Sequence, residues 1–211
     1  MNNADVTAII PAYNEADYIT PVVKTLRSME EICEVIVVND GSTDCTADRA
    51  RMAGAKVLDL HCNTGKAGAL IAGVKAASTD IVVLIDADLL GLKPEHVRML
   101  MEPVTEGGFD MSVGVFTNGR LRTDLAQRII PSLSGQRALK KKLLLELEGQ
   151  KEIRYGIDIL LSRHARRMGY KIKHVNIPYV TQVMKEEKMG FIKGLAARLR
   201  MYWEILRALG K

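Results

Sequence analysis

The segment from Ile81 to Leu89 constrains the fold of this chain more than any other. It is an apolar run of strand length, rich in β-branched residues, and it contains two acids near its end, Asp86 and Asp88. Because the run has no polar face, it predicts a strand buried on both sides, as in a parallel sheet. If strand geometry persists to the end, both carboxylates point to the same face of the strand. Two anions so close repel each other, and a bound cation usually neutralises such a pair, so the segment predicts a metal site.

Three further apolar segments precede this strand, and polar residues follow each of them. Strands are expected at residues 6–10, 34–39 and 56–60. A helical pattern follows each strand, so strand and helix alternate four times within about 90 residues. Asn14 is expected to cap the first helix, and Thr43 or Asp44 the second. This alternation predicts an α/β fold with a doubly wound, mostly parallel sheet flanked by helices and a site along its carboxyl edge.

The second half of the chain is less regular. Its polar, basic segment 117–135 could cover a site, and a tight turn is expected at Asn118-Gly119. Helices are predicted at residues 94–103, 138–147 and 157–168, and strands at 109–116 and 170–177.

An amphipathic helix is predicted at about residues 190–210, where apolar residues recur at spacings of three and four among basic ones. It could pack on its own domain, or on a second subunit in a homodimer. It could also lie on a membrane surface, where Trp203 would suit the interface. Peripheral contact with the inner face of the membrane is therefore one expectation for this segment.

Composition narrows the class of protein. A chain of 211 residues with 47% apolar content fits a single domain, residues 1–211, with a real core. No apolar run reaches the roughly 18 residues that span a bilayer, and the first residues lack the features of a signal peptide. The three cysteines have no C-x-x-C spacing, so a reduced, cytoplasmic setting is expected. The net charge of +5 suits phosphate-bearing ligands or an anionic membrane surface.

Several common sites are excluded by their missing motifs. No Gly-x-Gly-x-x-Gly follows the first strand, and Gly65-Lys66 lacks the upstream Gly and the following Ser or Thr of a P-loop. His61-Cys62 has no partner at zinc spacing, and no nucleophile elbow is present. The chemistry is therefore expected to rest on carboxylates and a metal.

Acids follow three of the first four predicted strands: Glu15, Asp40, Asp86 and Asp88. Any one alone could be a helix cap or a turn residue. Together at one sheet edge, they are typical of a site for Mg²⁺ or Mn²⁺, which accepts one or two carboxylates when diphosphate oxygens and waters fill the other positions.

Four short motifs resemble those of the family-two glycosyltransferases, which have the GT-A fold. The motifs are Pro11-Ala12-Tyr13-Asn14-Glu15, Val38-Asn39-Asp40-Gly41-Ser42-Thr43-Asp44, Asn63-Thr64-Gly65-Lys66 and Asp86-Ala87-Asp88-Leu89. The resemblance covers nearly the whole chain and implies the GT-A, or nucleotide-diphospho-sugar transferase, fold. Within the family, the chain is similar to polyprenyl-phosphate sugar transferases of the dolichyl-phosphate mannose synthase type and to glucosyl-3-phosphoglycerate synthases.

The resemblance implies a role for each matching position. The residues that would hold the base and the ribose are Pro11, Tyr13, Glu15 and Asp40. Gly65 would let the backbone approach the ligand, and Lys66 would reach the nucleotide or the diphosphate. Asp86 would lie near the ribose or the sugar as a candidate catalytic residue, and Asp88 would bind the metal.

Three positions in the second half also match the family. Ser134-Gly135-Gln136-Arg137 resembles the loop that faces the sugar and the acceptor, although Ser134 could instead cap a helix. Asp158 lies where inverting members carry an acid, so it could be a general base or bind the acceptor; it could also be a favourable first-turn acid. Gln182 lies where some relatives carry a metal-binding histidine, and its carbonyl oxygen could still bind Mg²⁺ or Mn²⁺.

The resemblance implies a metal-dependent glycosyltransferase that moves a sugar from a UDP- or GDP-sugar to an acceptor. The acceptor could be a polyprenyl phosphate or a small phosphorylated molecule, and no nucleic-acid partner is expected. One alternative is a catalytically inactive protein that binds nucleotide sugars. The other is a nucleotidyltransferase on a related fold, which would need a Gly-rich loop with a basic residue directly after the first strand. The segment 11–15 is not such a loop.

Overall fold

The structure, a computed structural model, describes residues 5–117, 134–149 and 156–182. The strands are β1 Val6–Ala12, β2 Ile32–Asn39, β3 Lys56–Asp59, β4 Ile81–Leu84, β5 Leu89–Leu90, β6 Met111–Thr117, β7 Arg137–Lys140, β8 Ile172–Pro178 and β9 Thr181–Gln182. The helices are α1 Ile19–Arg27, α2 Thr46–Met52, α3 Gly65–Ala76, α4 Pro94–Thr105, α5 Lys142–Leu145 and α6 Ile157–Arg167.

Seven of the strands form one sheet in the order β3-β2-β1-β4-β7-β6-β8. The first four strands are parallel to one another, β7 is antiparallel to both β4 and β6, and β8 is parallel to β6. The strands β5 and β9 form a separate antiparallel pair, in which Leu89 lies opposite Gln182. The predicted mostly parallel α/β sheet is therefore confirmed.

Helices cover both faces of the sheet. Successive residues of β1 point to opposite faces, because Ala8 and Ile10 belong to one apolar cluster and Ile9 to the other. The first cluster includes residues of α1, α2 and α4, and the second includes residues of α3, α5 and α6. Each buried Ile or Val contributes roughly 1.5–3 kcal/mol, so strands with no polar face fix this three-layer arrangement.

The helix predicted at 138–147 is wrong in its first half. Residues Arg137–Lys140 form β7, which fills the gap between β4 and β6, and α5 begins only at Lys142. Ala138 and Leu139 have no solvent-exposed surface. Ladder hydrogen bonds and burial therefore outweigh the helix propensity of these residues. Ser134 precedes a strand, so the alternative in which it caps a helix is also wrong.

The two predicted helix caps differ in outcome. Asn14 does not cap α1, since it has a left-handed backbone with φ 55° and the helix begins at Ile19. Its side-chain oxygen instead accepts a hydrogen bond from the Thr43 amide at 2.9 Å. Cys45 occupies the N-cap position of α2, but Asp44 just before it accepts a hydrogen bond from the amide of Thr46 at 3.0 Å.

The described helices include none that is long and apolar enough to cross a membrane. The predicted helix at about 190–210, the turn at Asn118-Gly119 and most of the basic segment 117–135 lie outside the described residues.

Candidate functional site

The candidate site lies at the edge where the carboxyl ends of β1, β2 and β4 meet the start of β7. Ala12 is level with Asn39 in the ladder between β1 and β2, and Leu84 is level with Arg137 in the ladder between β4 and β7. The strand β1 continues one residue past Pro11. The loops that follow these strands therefore meet at one edge, as the sequence predicted.

The loops after β1 and β2 are joined by side-chain to backbone hydrogen bonds. The amide of Asn14 donates to the Ser42 hydroxyl at 3.0 Å, and the amide of Glu15 donates to the Thr46 hydroxyl at 2.8 Å. Tyr13, in the loop after β1, has 47% of its surface exposed. The two loops thus form one fixed surface with an accessible aromatic ring.

Asp44 also holds the first of these loops. Its carboxylate accepts a hydrogen bond from the Ala16 amide at 3.2 Å, in addition to the bond from Thr46. Burial favours a higher pKa for the Asp44 carboxyl, but the hydrogen bonds from Thr46 and Ala16 outweigh it and lower that pKa. The junction is therefore stabilised by a charged group at neutral pH.

Asp40 is buried and holds the start of α3. Its Oδ1 accepts hydrogen bonds from the Thr64 amide at 2.7 Å and the Thr64 hydroxyl at 2.8 Å, and its Oδ2 accepts one from the Gly65 amide at 2.8 Å. The Asp40 amide in turn donates to the carbonyl of Ala12 at 2.9 Å. Gly65 has φ 79°, a backbone conformation that favours glycine. The Asp40 carboxylate thus caps a helix that is 24 residues away in sequence.

Lys66 brings two distant acids together. Its Nζ lies 2.8 Å from Oδ1 of Asp86 and 3.2 Å from Oδ2 of Asp158. Burial favours a lower pKa for the Lys66 ammonium, but the nearby Asp158 and Asp86 carboxylates outweigh it and raise that pKa. Lys66 is therefore a permanent cation between two carboxylates, and 35% of its side chain remains exposed.

Gln136 fixes the position of Asp86. The Asp86 amide donates to Oε1 of Gln136 at 3.1 Å, and Nε2 of Gln136 donates to Oδ2 of Asp86 at 2.7 Å. Gln136 has 1% of its surface exposed, and Ser134 has none. Gly135 lies against the ion pair, because a Cβ at this position would lie 2.6 Å from Oδ2 of Asp86 and would also meet Lys66. Only a glycine fits there without displacing the pair.

Arg137 ends the segment that resembles the sugar- and acceptor-facing loop, and the structure places it at the centre of this region. The residue has no exposed surface, and its guanidinium donates to the carbonyl of Asp158 at 2.8 Å and to the Ser162 hydroxyl at 2.9 Å. Burial lowers the pKa of Arg137, and the Asp158 and Asp86 carboxylates oppose that shift. Its burial was not predicted, because local propensity does not identify an arginine next to the apolar pair 138–139 as buried.

The acids after β4 are not arranged as a continued strand. Strand β4 ends at Leu84, so the condition for placing both carboxylates on one side by strand geometry is not met. Ile85 still donates to the Ile9 carbonyl at 3.1 Å, and the chain then turns before β5. Asp86 points to Lys66, while Asp88 directly precedes the pair formed by Leu89 and Gln182.

The backbone thus brings Asp88 and Gln182 to neighbouring positions, although the structure does not describe the side chain of Gln182. The candidate donor set consists only of oxygen ligands, which suits Mg²⁺ or Mn²⁺ with most positions left for a substrate and water. Across residues 5–117, 134–149 and 156–182, no group of three or more His, Cys, Asp or Glu forms a metal site.

A cavity of about 130 Å³ lies between the starts of α3 and α6. Its lining includes Thr64, Lys66, Gly156 and Asp158. Both helices present their positive ends to this space, and the Lys66 ammonium adds a full charge. The geometry therefore combines features that bind anions with carboxylates that can accept hydrogen bonds from hydroxyl groups.

A mostly parallel sheet between two layers of helices, with polar loops at its carboxyl edge, is the architecture of α/β proteins that bind a ligand at that edge. The chain belongs to glycosyl transferase family 2, because the family's model matches residues 7–170. It is therefore a glycosyltransferase, and the resemblance of the four motifs is confirmed.

Solved structures and curated relatives agree with this membership. Glucosyl-3-phosphoglycerate synthase from Mycobacterium tuberculosis, crystallised with Mn²⁺, UDP-glucose and phosphoglyceric acid, is 27% identical with a TM-score of 0.79, and the match covers 98% of this chain and 80% of that chain. An uncharacterized protein of Methanocaldococcus jannaschii is 29% identical over 84% of this chain and 82% of its own length. The 4,4'-diaponeurosporenoate glycosyltransferase of Staphylococcus aureus is 38% identical over 47% of this chain, but the match spans only 28% of that protein.

Proposed function

We propose that the chain transfers a sugar from a nucleoside-diphosphate sugar to an acceptor, with bound Mg²⁺ or Mn²⁺. The observation that carries the proposal is the Lys66 ammonium, shared by Asp86 and Asp158 beside the surface that the loops after β1 and β2 form. A nucleotide on that surface would direct its diphosphate towards a fixed cation. The M. tuberculosis enzyme was crystallised with UDP-glucose, which makes uridine the first base to test.

The base and the ribose would lie on the surface formed by Pro11, Tyr13, Glu15 and Asp40. The exposed ring of Tyr13 offers a face for stacking. A carboxylate has about four acceptor positions, and Asp40 uses three of them on Thr64 and Gly65. A base N–H could therefore bind Oδ2 without breaking the cap on α3.

The metal would be held by Asp88, with Gln182 as the second candidate ligand. A divalent cation at this position offsets the negative charge that develops on the leaving nucleoside diphosphate. Lys66 would act on the same leaving group, because a lysine is a cation at neutral pH and the neighbouring Asp158 and Asp86 carboxylates raise its pKa further. Gly65 leaves open space for a phosphate to approach the backbone, since a Cβ there would meet nothing within 4 Å.

Asp86 and Asp158 would bind the sugar and the acceptor. Both carboxylates border the same ammonium, and Gln136 orients the first of them. Asp158 would contact the acceptor or take a proton from its hydroxyl. An acceptor that is already an anion, such as a polyprenyl phosphate, needs no base, whereas a hydroxyl on a small phosphorylated acceptor does.

The direct test is a thermal-shift panel of UDP, GDP, UDP-sugars and GDP-sugars, each with and without Mn²⁺. A ligand that binds only the folded state raises its melting temperature. We expect one nucleotide sugar to raise it in a metal-dependent way, and Asp88→Ala to abolish the metal-dependent part. Asp80→Ala is the matched control, because that side chain is 98% exposed and precedes β4 at the opposite end.

Two results would contradict the proposal. Unchanged metal-dependent binding in Asp88→Ala would refute the metal site. Binding without hydrolysis or transfer of the sugar would instead indicate an inactive nucleotide-sugar-binding protein. The predicted contact of residues 190–210 with a membrane or a second subunit needs a separate test, by sedimentation of the full chain with anionic liposomes and by measurement of its mass in solution.

A further inference from the structure

We propose that Arg137 is a positioning residue that holds the first turn of α6, and with it the Asp158 carboxylate, against the loop before β7. The inference deepens the proposed function and rests on it, because it assumes that Asp158, besides its role towards the acceptor, contacts the sugar of the bound donor. Arg137 itself is buried and touches neither.

The guanidinium of Arg137 joins the loop before β7 to α6 through three hydrogen bonds. Its Nε donates to the carbonyl of Ser134 at 3.1 Å, in the loop before β7. Its Nη2 donates to the Asp158 carbonyl at 2.8 Å, and its Nη1 donates to the Ser162 hydroxyl at 2.9 Å, both in α6. A guanidinium has five N–H donors in a rigid plane, so these bonds set the distance and the angle between loop and helix.

The same bonds set the direction of the Asp158 side chain. Ser162 also donates to the Asp158 carbonyl at 3.0 Å, so two groups hold that part of the backbone. The Asp158 Oδ1 lies 3.8 Å from Nε of Arg137, while its Oδ2 faces Lys66. With both the backbone and the charge environment fixed, Asp158 has little freedom to turn away from the site.

Stability alone is a poor reason for an arginine at this position. Burying a guanidinium costs free energy, and apolar residues of similar volume often replace buried charges without loss of stability. A methionine would fill the space but could not join Ser134 to α6. The preceding residue, Gln136, makes the equivalent connection to Asp86. Two consecutive residues of the chain therefore fix the two acids that share Lys66.

The test compares Arg137→Met and Arg137→Lys with Lys140→Met, a control in the same strand. Lys140 pairs with Asp110 at 2.7 Å at the far end of β7. The dissociation constants of UDP and UDP-glucose are measured with Mn²⁺ by calorimetry. We expect Arg137→Met to raise the dissociation constant of UDP-glucose by about tenfold and that of UDP by less than about twofold. The reason is that one charge-assisted contact is lost, and it is lost on the sugar side only. Arg137→Lys should recover part of the lost affinity for UDP-glucose, and Lys140→Met should bind UDP-glucose as tightly as the wild type does.

A double-mutant cycle with Asp158→Asn decides whether Arg137 acts through Asp158. Residues that act through one interaction give losses that do not add. The double variant Arg137→Met with Asp158→Asn should therefore bind UDP-glucose no more weakly than the weaker single variant. Additive losses of binding free energy in the double variant would overturn the positioning role. An equal loss of affinity for UDP and for UDP-glucose in Arg137→Met would also overturn it. So would an Asp158→Asn variant that binds like the wild type.

Hydrogen exchange of the free protein gives a measurement that does not depend on the donor. The amides of Ile159 and Leu160 donate to the Gly156 carbonyl at 3.0 and 3.1 Å and report on the first turn of α6. They should exchange faster in Arg137→Met and at the normal rate in Lys140→Met. Unchanged exchange in Arg137→Met refutes the inference even if the donor is not a uridine nucleotide. Failure of the wild type to bind any nucleotide sugar refutes the proposed function instead.

Discussion

The Asp40→Ala substitution should destabilise the fold far more than the loss of a typical polar residue at a strand end. The carboxylate is 3% exposed and accepts three hydrogen bonds of 2.7–2.8 Å, two of them from backbone amides at the start of α3. Removing a side-chain cap costs about 0.5–2 kcal/mol, and a hydrogen bond to a charged group contributes about 1.5–3 kcal/mol. Water can reach part of this helix start, because Thr64 is exposed, so the contributions do not add fully.

We therefore expect Asp40→Ala to lower the free energy of unfolding by about 2–4 kcal/mol. For a chain of this size, that corresponds to a fall in the melting temperature on the order of 10 °C. Asp40→Asn should cost about half as much, since the amide keeps one acceptor oxygen but turns an NH₂ group towards a backbone donor.

The assay is urea unfolding followed by circular dichroism, with Asp48→Ala as the control. Asp48 is also an acid at a helix start, in the first turn of α2, but its side chain is 75% exposed and, within the described part of the chain, pairs with Arg51, so its removal should cost about 0.5 kcal/mol or less. If Asp40→Ala and Asp48→Ala unfold within about 0.5 kcal/mol of each other, the assignment of Asp40 as the cap of α3 is refuted.

Three further predictions follow from individual contacts. Gly135→Ala should weaken binding of a nucleotide sugar by about tenfold in calorimetry, because its Cβ would lie 2.6 Å from Oδ2 of Asp86. Gly73→Ala should lower the free energy of unfolding by about 1–3 kcal/mol in urea, because its Cβ would press on buried side chains of β1 and β2. Burial favours a higher pKa for Glu34, but hydrogen bonds from Lys56 and Ser78 outweigh it and lower that pKa below 4.5. The contribution of the Glu34 carboxylate to the free energy of unfolding is therefore present above pH 4.5 and is lost as the pH falls through its folded-state pKa. Glu34→Gln should reduce the difference in the free energy of unfolding between pH 7 and pH 3.5.

The first half of the fold could be predicted because its signals are local. The strands β1 and β2 contain apolar runs with no polar face, and only a position between helices buries both sides of such runs. The carboxyl ends of parallel strands share one edge of a sheet, so the placement of both Asp40 and Asp86 at that edge follows from topology. The hydrogen-bond and ion-pair partners of these acids could not be predicted. Thr64 and Lys66 are separated from Asp40 and Asp86, respectively, by 20 or more positions in the sequence.

The acids after β4 show where local geometry is insufficient. A spacing of two places carboxylates on one side only while the strand continues, and β4 ends two residues before Asp86. What separates the roles of Asp86 and Asp88 is the set of long-range partners. Lys66 and Gln136 hold Asp86, whereas Asp88 lies beside the backbone of β9. No pattern within residues 81–89 encodes those partners.

The misassigned strand β7 explains why the most buried part of the site was the hardest to predict. The sequence after Arg137 is rich in helix formers, and it becomes a strand only because β4 and β6 each have a free edge beside it. Since β7 runs antiparallel to β4, the beginning of β7 lies level with the end of β4, where Leu84 is opposite Arg137. A reversed strand therefore contributes its first residues to an edge that parallel strands reach with their last. Gln136 and Arg137 meet Asp86 and Asp158 for this reason, and a helix over the same residues would have placed neither beside its acid.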